Sequence, residues 1–287
     1  MEQRTFGRAN LSVSAICLGT MTYGEQNTQA QAFEQMDLAV DRGVNFFDTA
    51  ELYPIPPKAE TAGRTEKQIG AWLKARGRRD RIILATKAVG RRTNTYFRRA
   101  GVIAELTRPQ IIEAVEASLK RLQTDYIDLY QLHWPDRTVT QFGANPVIFS
   151  PGAGPENPIF EALETLDDLI KQGKIRQIGI SNESAWGTMH YLHESQVRSL
   201  PRIQSIQNAY NLLNRTFETG LAEISMREAV GLLAYSPLGQ GYLTGKYENG
   251  ALPPASRKAL FRRLQRYETP GAPAAIDAYL KLARSFG

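Results

Sequence analysis

The sequence predicts an α/β fold, a (β/α)8 barrel of the triosephosphate-isomerase type, and three observations carry that expectation. Short apolar, β-branched runs alternate with amphipathic stretches along the whole chain, which argues for parallel strands joined by crossover helices. At 287 residues the chain matches one barrel of about 250 residues. Three of the apolar runs end in a polar side chain, and barrels of this kind carry their catalytic groups at those strand ends.

Taken in order, residues 4–13, with a Gly7-Arg8-Ala9-Asn10 turn, are expected to form a hairpin capping the barrel floor. Strands are expected at 15–18, 44–47, 82–86, 127–131, 175–180, 203–207 and 231–235. Helices are expected at 28–42, 65–76, 109–122, 158–172, 185–194, 215–229 and 272–286. The third shows the period well: Ile111, Ile112, Val115, Leu119 and Leu122 form one stripe, and Pro109 suits a first helical turn. Three connections are long, 89–108, 134–157 and 236–270, and long loops after strands usually carry binding. Their aromatics Tyr96, Phe97, Trp134, Phe142 and Phe149 are candidates to wall an apolar pocket, and each is equally explained as loop packing. No linker divides the chain, so residues 1–287 are expected to be a single domain. Seven strand–helix units are one short of a closed barrel, so the eighth is expected to be missing and the domain C-terminally incomplete.

Composition narrows the function classes. Hydrophobic residues at 42% with 22% charged describe a globular chain, and no apolar run nears the roughly 18 residues that span a bilayer. The start, Met1-Glu2-Gln3-Arg4-Thr5, lacks the apolar core of a signal peptide; a cytoplasmic protein is expected. The net charge of +6 and pI of about 9.4 come from scattered basic residues with no nucleic-acid motif, so a phosphate-bearing small ligand is expected instead. The single cysteine, Cys17, permits no internal disulfide and suits a reducing compartment. It reads as a small buried hydrophobe.

The chemistry lies in Asp48 and Tyr53 after the second strand, Lys87 ending the third and His133 ending the fourth. Reducing a carbonyl requires a proton at oxygen, and a tyrosine with an ordinary pKa of about 10 is a poor acid. A lysine ammonium some 4 Å away interacts with a tyrosinate by about 4 kcal/mol at a dielectric near 20. That lowers the phenol by roughly three units before desolvation opposes it. Lys87 can supply the charge to Tyr53, Asp48 can hold Lys87, and His133 can donate a hydrogen bond to the carbonyl oxygen. Singly, each has a plain reading: a solvated lysine, a packed tyrosine, a helix-capping turn at Asp48. Together, at three successive strand ends, they read as one reaction centre.

At these residues the sequence resembles the aldo-keto reductase superfamily. The matching stretches are Leu18-Gly19-Thr20-Met21, Phe47-Asp48-Thr49-Ala50-Glu51-Leu52-Tyr53, Ala85-Thr86-Lys87, Gln131-Leu132-His133-Trp134-Pro135 and Gly179-Ile180-Ser181-Asn182. Ile206-Gln207-Asn208, Tyr235-Ser236-Pro237-Leu238 and Leu243-Thr244-Gly245-Lys246-Tyr247 follow. Tyr191-Leu192-His193 and Leu212-Leu213-Asn214-Arg215 are similar to the bacterial Tas-like branch, related to potassium-channel β-subunits. The resemblance implies an Asp48–Tyr53–Lys87–His133 tetrad with Tyr53 as proton donor and NADPH/NADP+ as cofactor. Thr20, Met21 and Asp48 would border that cofactor. Ser181, Asn182 and Gln207 would hold its carboxamide, and Tyr235 would stack on the nicotinamide. Ser236, Pro237, Leu238, Gly239, Gly241, Leu243, Gly245 and Lys246 would belt the pyrophosphate, partly through backbone N–H groups. Arg257 would meet the adenosine phosphate. Tyr23, Tyr53, His133 and Trp134 would face a small-molecule carbonyl substrate. The family's Gly–Ser/Thr stretch and Gln…Glu-Asn set for adenine and the 2′-phosphate do not occur here, so a preference for NADP rests on Lys246 and Arg257.

Remaining signals carry less. Gly239-Gln240-Gly241 with Gly245 lacks the spacing and the βαβ unit of a dinucleotide fingerprint. His190 and His193 stand at i, i+3 with no acidic or cysteine partner expected on that face, so no metal site is expected. Two other functions stay open: a nucleotide-binding regulatory subunit, and a Schiff-base lyase using a neutral Lys87 amine. The Asp48 carboxylate argues against the lyase by keeping that amine charged. The oligomeric state and the physiological substrate are open.

Overall fold

Seven parallel strands make the wall of the molecule. The computed structural model describes residues 1–99, 101–139, 148–149, 156–262 and 264–286. The strands are β3 (Cys17–Gly19), β4 (Phe46–Asp48), β5 (Ile83–Ala88), β6 (Ile127–Leu132), β7 (Ile175–Ser181), β8 (Ile203–Ala209) and β9 (Gly231–Tyr235). They pair in sequence order and curve into a nearly closed barrel. Among the described residues, β3 and β9 are each paired on one side alone. The expected hairpin is present as β1 (Gln3–Thr5) and β2 (Ser12–Ser14), antiparallel with Arg4 opposite Val13.

Alternation along each strand sorts the side chains. Phe47 points outward and packs on Trp72 with ring centroids 5.5 Å apart, while Phe46 and Asp48 point inward. Inside, Phe46, Ile83, Ala85 and Leu129 pack with Phe6, Ala9 and Val13 of the hairpin. That apolar plug closes the barrel floor, so the polar inward residues lie above it, toward the C-terminal strand ends.

The helices are α1 (Gln29–Asp41), α2 (Arg64–Arg76), α3 (Arg108–Leu122), α4 (Ile159–Lys171), α5 (Ala185–Arg198), α6 (Leu221–Glu228), α7 (Arg257–Phe261) and α8 (Ala272–Ser285). Helix α1 begins at a capping box in which Thr28 and Gln31 each satisfy the other's backbone N–H. Three differences from the expected elements have local causes. The helix expected at 215–229 is a 3-10 turn, Thr216–Thr219, followed by α6, because the Gly220 backbone is extended between them. Helix α7 is additional; Ser256 caps it by accepting a hydrogen bond from the Ala259 N–H. Helix α8 packs on the loop after β9 rather than on the barrel, its Ile276 and Leu280 meeting Tyr242, Tyr247 and Tyr267.

Two buried ion pairs tie helices and loops to the strand ends. Glu66 of α2, fully buried, accepts hydrogen bonds from Thr86 of β5 and Arg121 of α3, both at 2.6 Å. Glu51, between Asp48 and Tyr53, accepts bonds from Arg98 at 3.0 and 3.1 Å and from the Val89 N–H at 2.8 Å. Removing one partner of a buried pair leaves an uncompensated charge. Arg98→Met is therefore expected to cost about 3–5 kcal/mol of unfolding free energy, measured by urea denaturation. A loss below about 1 kcal/mol, the range of exposed pairs, would show that Glu51 finds water or another donor.

Candidate active site

Strand ends bring the four tetrad residues to one place. Asp48 ends β4, Lys87 lies on β5, His133 follows β6, and Tyr53 hangs from the turn after Asp48. The Lys87 Nζ, with no exposed surface, donates to Asp48 Oδ2 and to the Thr49 carbonyl, both at 2.7 Å. It lies 4.9 Å from the centroid of the Tyr53 ring, and its charge acts on the phenol. The Tyr53 and His133 rings meet edge to face at 5.7 Å.

The electrostatics follow from burial and charge together. Burial works to pull the Lys87 ammonium down, but the Asp48 carboxylate and the phenol more than offset it, and Lys87 stands above its ordinary value. Tyr53 differs from the expected lowering. Desolvation raises its phenol more than Lys87 lowers it, so the net direction is upward. A proton donor gains from this, because the phenol stays loaded until the proton is taken, and the ammonium then stabilises the phenolate. Burial, with the Lys87 charge, pushes His133 well below the usual imidazole range, so the ring is neutral. A neutral ring donates through one nitrogen only, which suits it to orient a carbonyl rather than to protonate it.

Below this group lies a polar layer in which the sequence singled out Gln207 but assigned no role to Gln131. Asp48 Oδ1 accepts the Gln131 Nε2 at 3.1 Å and the Gln207 Nε2 at 2.9 Å. Gln131 stands two residues before His133 and shares its inward parity, which was the one available signal. Beside the tetrad, Asn182 Nδ2 donates to the His133 carbonyl at 2.9 Å, and Tyr235 donates to Asn182 Oδ1 at 2.7 Å. Ser181 Oγ donates to the Gln207 carbonyl at 2.7 Å. Ser181, Asn182, Gln207 and Tyr235 thus form one connected group against His133 and Asp48. Thr20 is buried under Asp48, donating to its carbonyl at 2.8 Å. Met21 and Trp134 pack with Tyr53, and the Trp134 indole donates to the Arg91 carbonyl at 3.1 Å.

Other expected residues fall elsewhere. Tyr23 does not join the mouth: it lies in the core between barrel and helices, 1% exposed. Burial raises its phenol to about 12. Phe149 is 81% exposed, and Phe142 lies outside the described residues. In the loop after β9, Ser236, Gly239, Gln240, Gly241 and Gly245 all have positive φ. The N–H groups of Gly239, Gly241 and Leu243 bond to the Ser236 and Leu238 carbonyls, which holds the loop's own turns. A Cβ on Gly241, at φ 102, would stand 2.6 Å from Lys246 Cε; glycine is what lets that lysine lie against the loop. Pro237 and Leu238 are exposed. Arg257 opens α7 close enough to lower the Tyr53 phenol, so its charge reaches the reaction centre. Arg266, not anticipated, stands 5.5 Å from the Tyr235 ring. His190 has an acidic neighbour after all, Glu194 at 3.7 Å. Cys17 is half-buried, and its thiol is raised by burial and by Asp48.

Comparison with known proteins identifies the family. Residues 15–287 match the model of the Aldo/keto reductase family. The chain belongs to that family. It is 47% identical over 289 aligned residues to protein Tas of Escherichia coli (strain K12), spanning all of this chain and 82% of that protein. It is 35% identical over 251 residues to the aldo-keto reductase YhdN of Bacillus subtilis (strain 168), covering 86% of this chain and 65% of the relative. Norsolorinic acid reductase B of Aspergillus parasiticus is 32% identical over 241 residues, 81% of this chain and 56% of the relative. As an aldo/keto reductase the chain is an oxidoreductase. Among the described residues, no helix is long and apolar enough to cross a membrane.

The neutral buried His133 sets an acid dependence of stability. Unfolded imidazole binds a proton below its ordinary value of 6.5, and the folded one, held well below it, does not. Stability from this group is therefore present above about pH 6.5 and lost as pH falls. Between about pH 7.5 and 5.5, the melting temperature of the wild type should fall further than that of His133→Gln. Equal acid slopes would show that the folded protein protonates His133 freely.

Proposed function

We propose that this aldo/keto reductase converts an aldehyde or ketone to the alcohol using NADPH, with Tyr53 as the proton donor. The observation that carries the reading is the buried Asp48–Lys87 pair held against the Tyr53 ring, beside a neutral His133. Ser181, Asn182 and Gln207 put hydroxyl and amide groups on one side of that centre, a donor set that suits a primary carboxamide. Lys246, Arg257 and Arg266 add positive charge for phosphates, and the preference for NADPH over NADH rests on them. When bound, the reduced nicotinamide supplies hydride.

The chain's own residues do the rest. His133 donates a hydrogen bond to the carbonyl oxygen and fixes its direction. Tyr53 passes its hydroxyl proton to the oxygen as charge develops there, and Lys87 stabilises the phenolate left behind. Asp48 keeps Lys87 charged. Trp134 and Met21 exclude water from the Tyr53 side. The raised Lys87 ammonium disfavours Schiff-base chemistry, which needs a neutral amine. The substrate is a small-molecule carbonyl compound, and a chain with one cysteine, Cys17, fits the reducing cytoplasm.

Steady-state oxidation of NADPH with a panel of aromatic aldehydes tests the reading. Tyr53→Phe should lose about 10²- to 10⁴-fold in turnover while binding NADPH with nearly unchanged affinity. A variant that keeps more than half of the wild-type rate would assign the proton to another group. Titration calorimetry should find NADPH bound more tightly than NADH; equal affinities would remove the case for a phosphate-reading site. Borohydride with a carbonyl substrate should leave Lys87 unmodified, and an adduct there would favour the lyase instead.

A further inference from the structure

Asp48 uses its two oxygens differently. Oδ2 takes the Lys87 ammonium, and Oδ1 takes two side-chain amides, Gln131 at 3.1 Å and Gln207 at 2.9 Å. The two amides are not equivalent. Gln207 belongs to the group at the mouth, its carbonyl accepting from the Asn182 N–H at 3.0 Å and from Ser181 Oγ. Gln131 lies fully buried inside the barrel, opposite Lys87 in the β5–β6 register and opposite Gly179 in the β6–β7 register. Gly179 makes room for it: a Cβ there would stand 3.3 Å from Gln131 Cγ and 2.5 Å from Ser205 Oγ.

We propose that Gln131 is the permanent positioning residue of Asp48, and that Gln207 is an exchangeable donor that leaves Asp48 for the cofactor's carboxamide. This rests on the carbonyl-reductase reading. With two donors on one oxygen, Gln207 turns away without stripping a buried carboxylate of its hydrogen bonds, and the Asp48–Lys87 pair keeps its geometry when the cofactor arrives. With one donor, cofactor binding and the support of Asp48 compete for the same amide.

Gln131→Met keeps the length and removes the donor. In the cofactor-free protein Gln207 still serves Asp48, so the melting temperature should stay within a few degrees of wild type. In the bound state Asp48 Oδ1 has no donor. A hydrogen bond to a buried charged group is worth about 1.5–3 kcal/mol, so NADPH affinity or turnover should fall about 10- to 100-fold. Gln131→Glu separates positioning from packing, because a carboxyl of the same length donates only when protonated. The charged and titratable groups around that position are Asp48 on β4, Lys87 on β5, His133 above it on β6, Tyr53 in the turn and Cys17 on β3. The neighbouring carboxylate favours retention of a proton by the introduced acid. Its kcat/KM, divided by the wild-type value at each pH, should rise as pH falls from about 8 to 5.5.

Wild-type titration with NADPH is the control. No binding there would defeat the functional reading and this proposal with it. Wild-type binding, with both affinity and turnover in Gln131→Met within twofold of wild type, would defeat the proposal alone. If Gln131→Met does not fold, a flat activity ratio across pH in Gln131→Glu overturns it equally.

Discussion

An ammonium with no exposed surface persists only where a carboxylate holds it, and Lys87 has Asp48 at 2.7 Å. Breaking such a pair leaves a bare charge in the interior, which is far more costly than never having buried it. Much of the mouth is arranged around that constraint. Two glutamines and Lys87 share the carboxylate, the Thr49 carbonyl takes a second lysine proton, and Thr20 ties the Asp48 backbone to the strand beside it. Tyr53 and His133 are placed against this fixed charge, and burial, more than the charge, keeps the phenol protonated and the imidazole neutral. The ammonium offsets part of the burial cost of a phenolate and adds to the cost of an imidazolium.

The turn between Asp48 and Tyr53 is held from outside as well. Glu51 bonds Arg98 and the Val89 N–H, so one carboxylate links the loops that follow β4 and β5. The tyrosine is thus suspended between two buried ion pairs, Asp48–Lys87 on the barrel side and Glu51–Arg98 on the loop side. Neither adds much net stability by being charged. What they provide is position, which a reaction sensitive to fractions of an ångström requires.

Much of this was legible in the sequence, for identifiable reasons. The strands carry strong period and composition signals, and the polar residues Asp48, Lys87 and His133 interrupt or end apolar runs at the expected face. Gln131 obeys the same parity, yet it sits between Tyr130 and Leu132 near the end of β6, where a glutamine carries no chemical signal of its own. Tyr23 is assigned to the mouth by resemblance alone, which does not tell which way a turn faces; its ring lies in the core. Helix α7 was hidden by its five residues and by Pro253-Pro254 before it, which read as loop. The rise of Tyr53 above its ordinary value was a matter of magnitude. The strand ends gave the charge next to the phenol, but only the packed structure gives the depth of burial that outweighs it.

The hairpin of β1 and β2, with Phe6, Ala9 and Val13 packed on Phe46 and Leu129, turns the barrel into a vessel with a sealed base. Nothing can pass through that base, so the polar residues above it are reached from the C-terminal strand ends or along the seam that β3 and β9 leave unpaired.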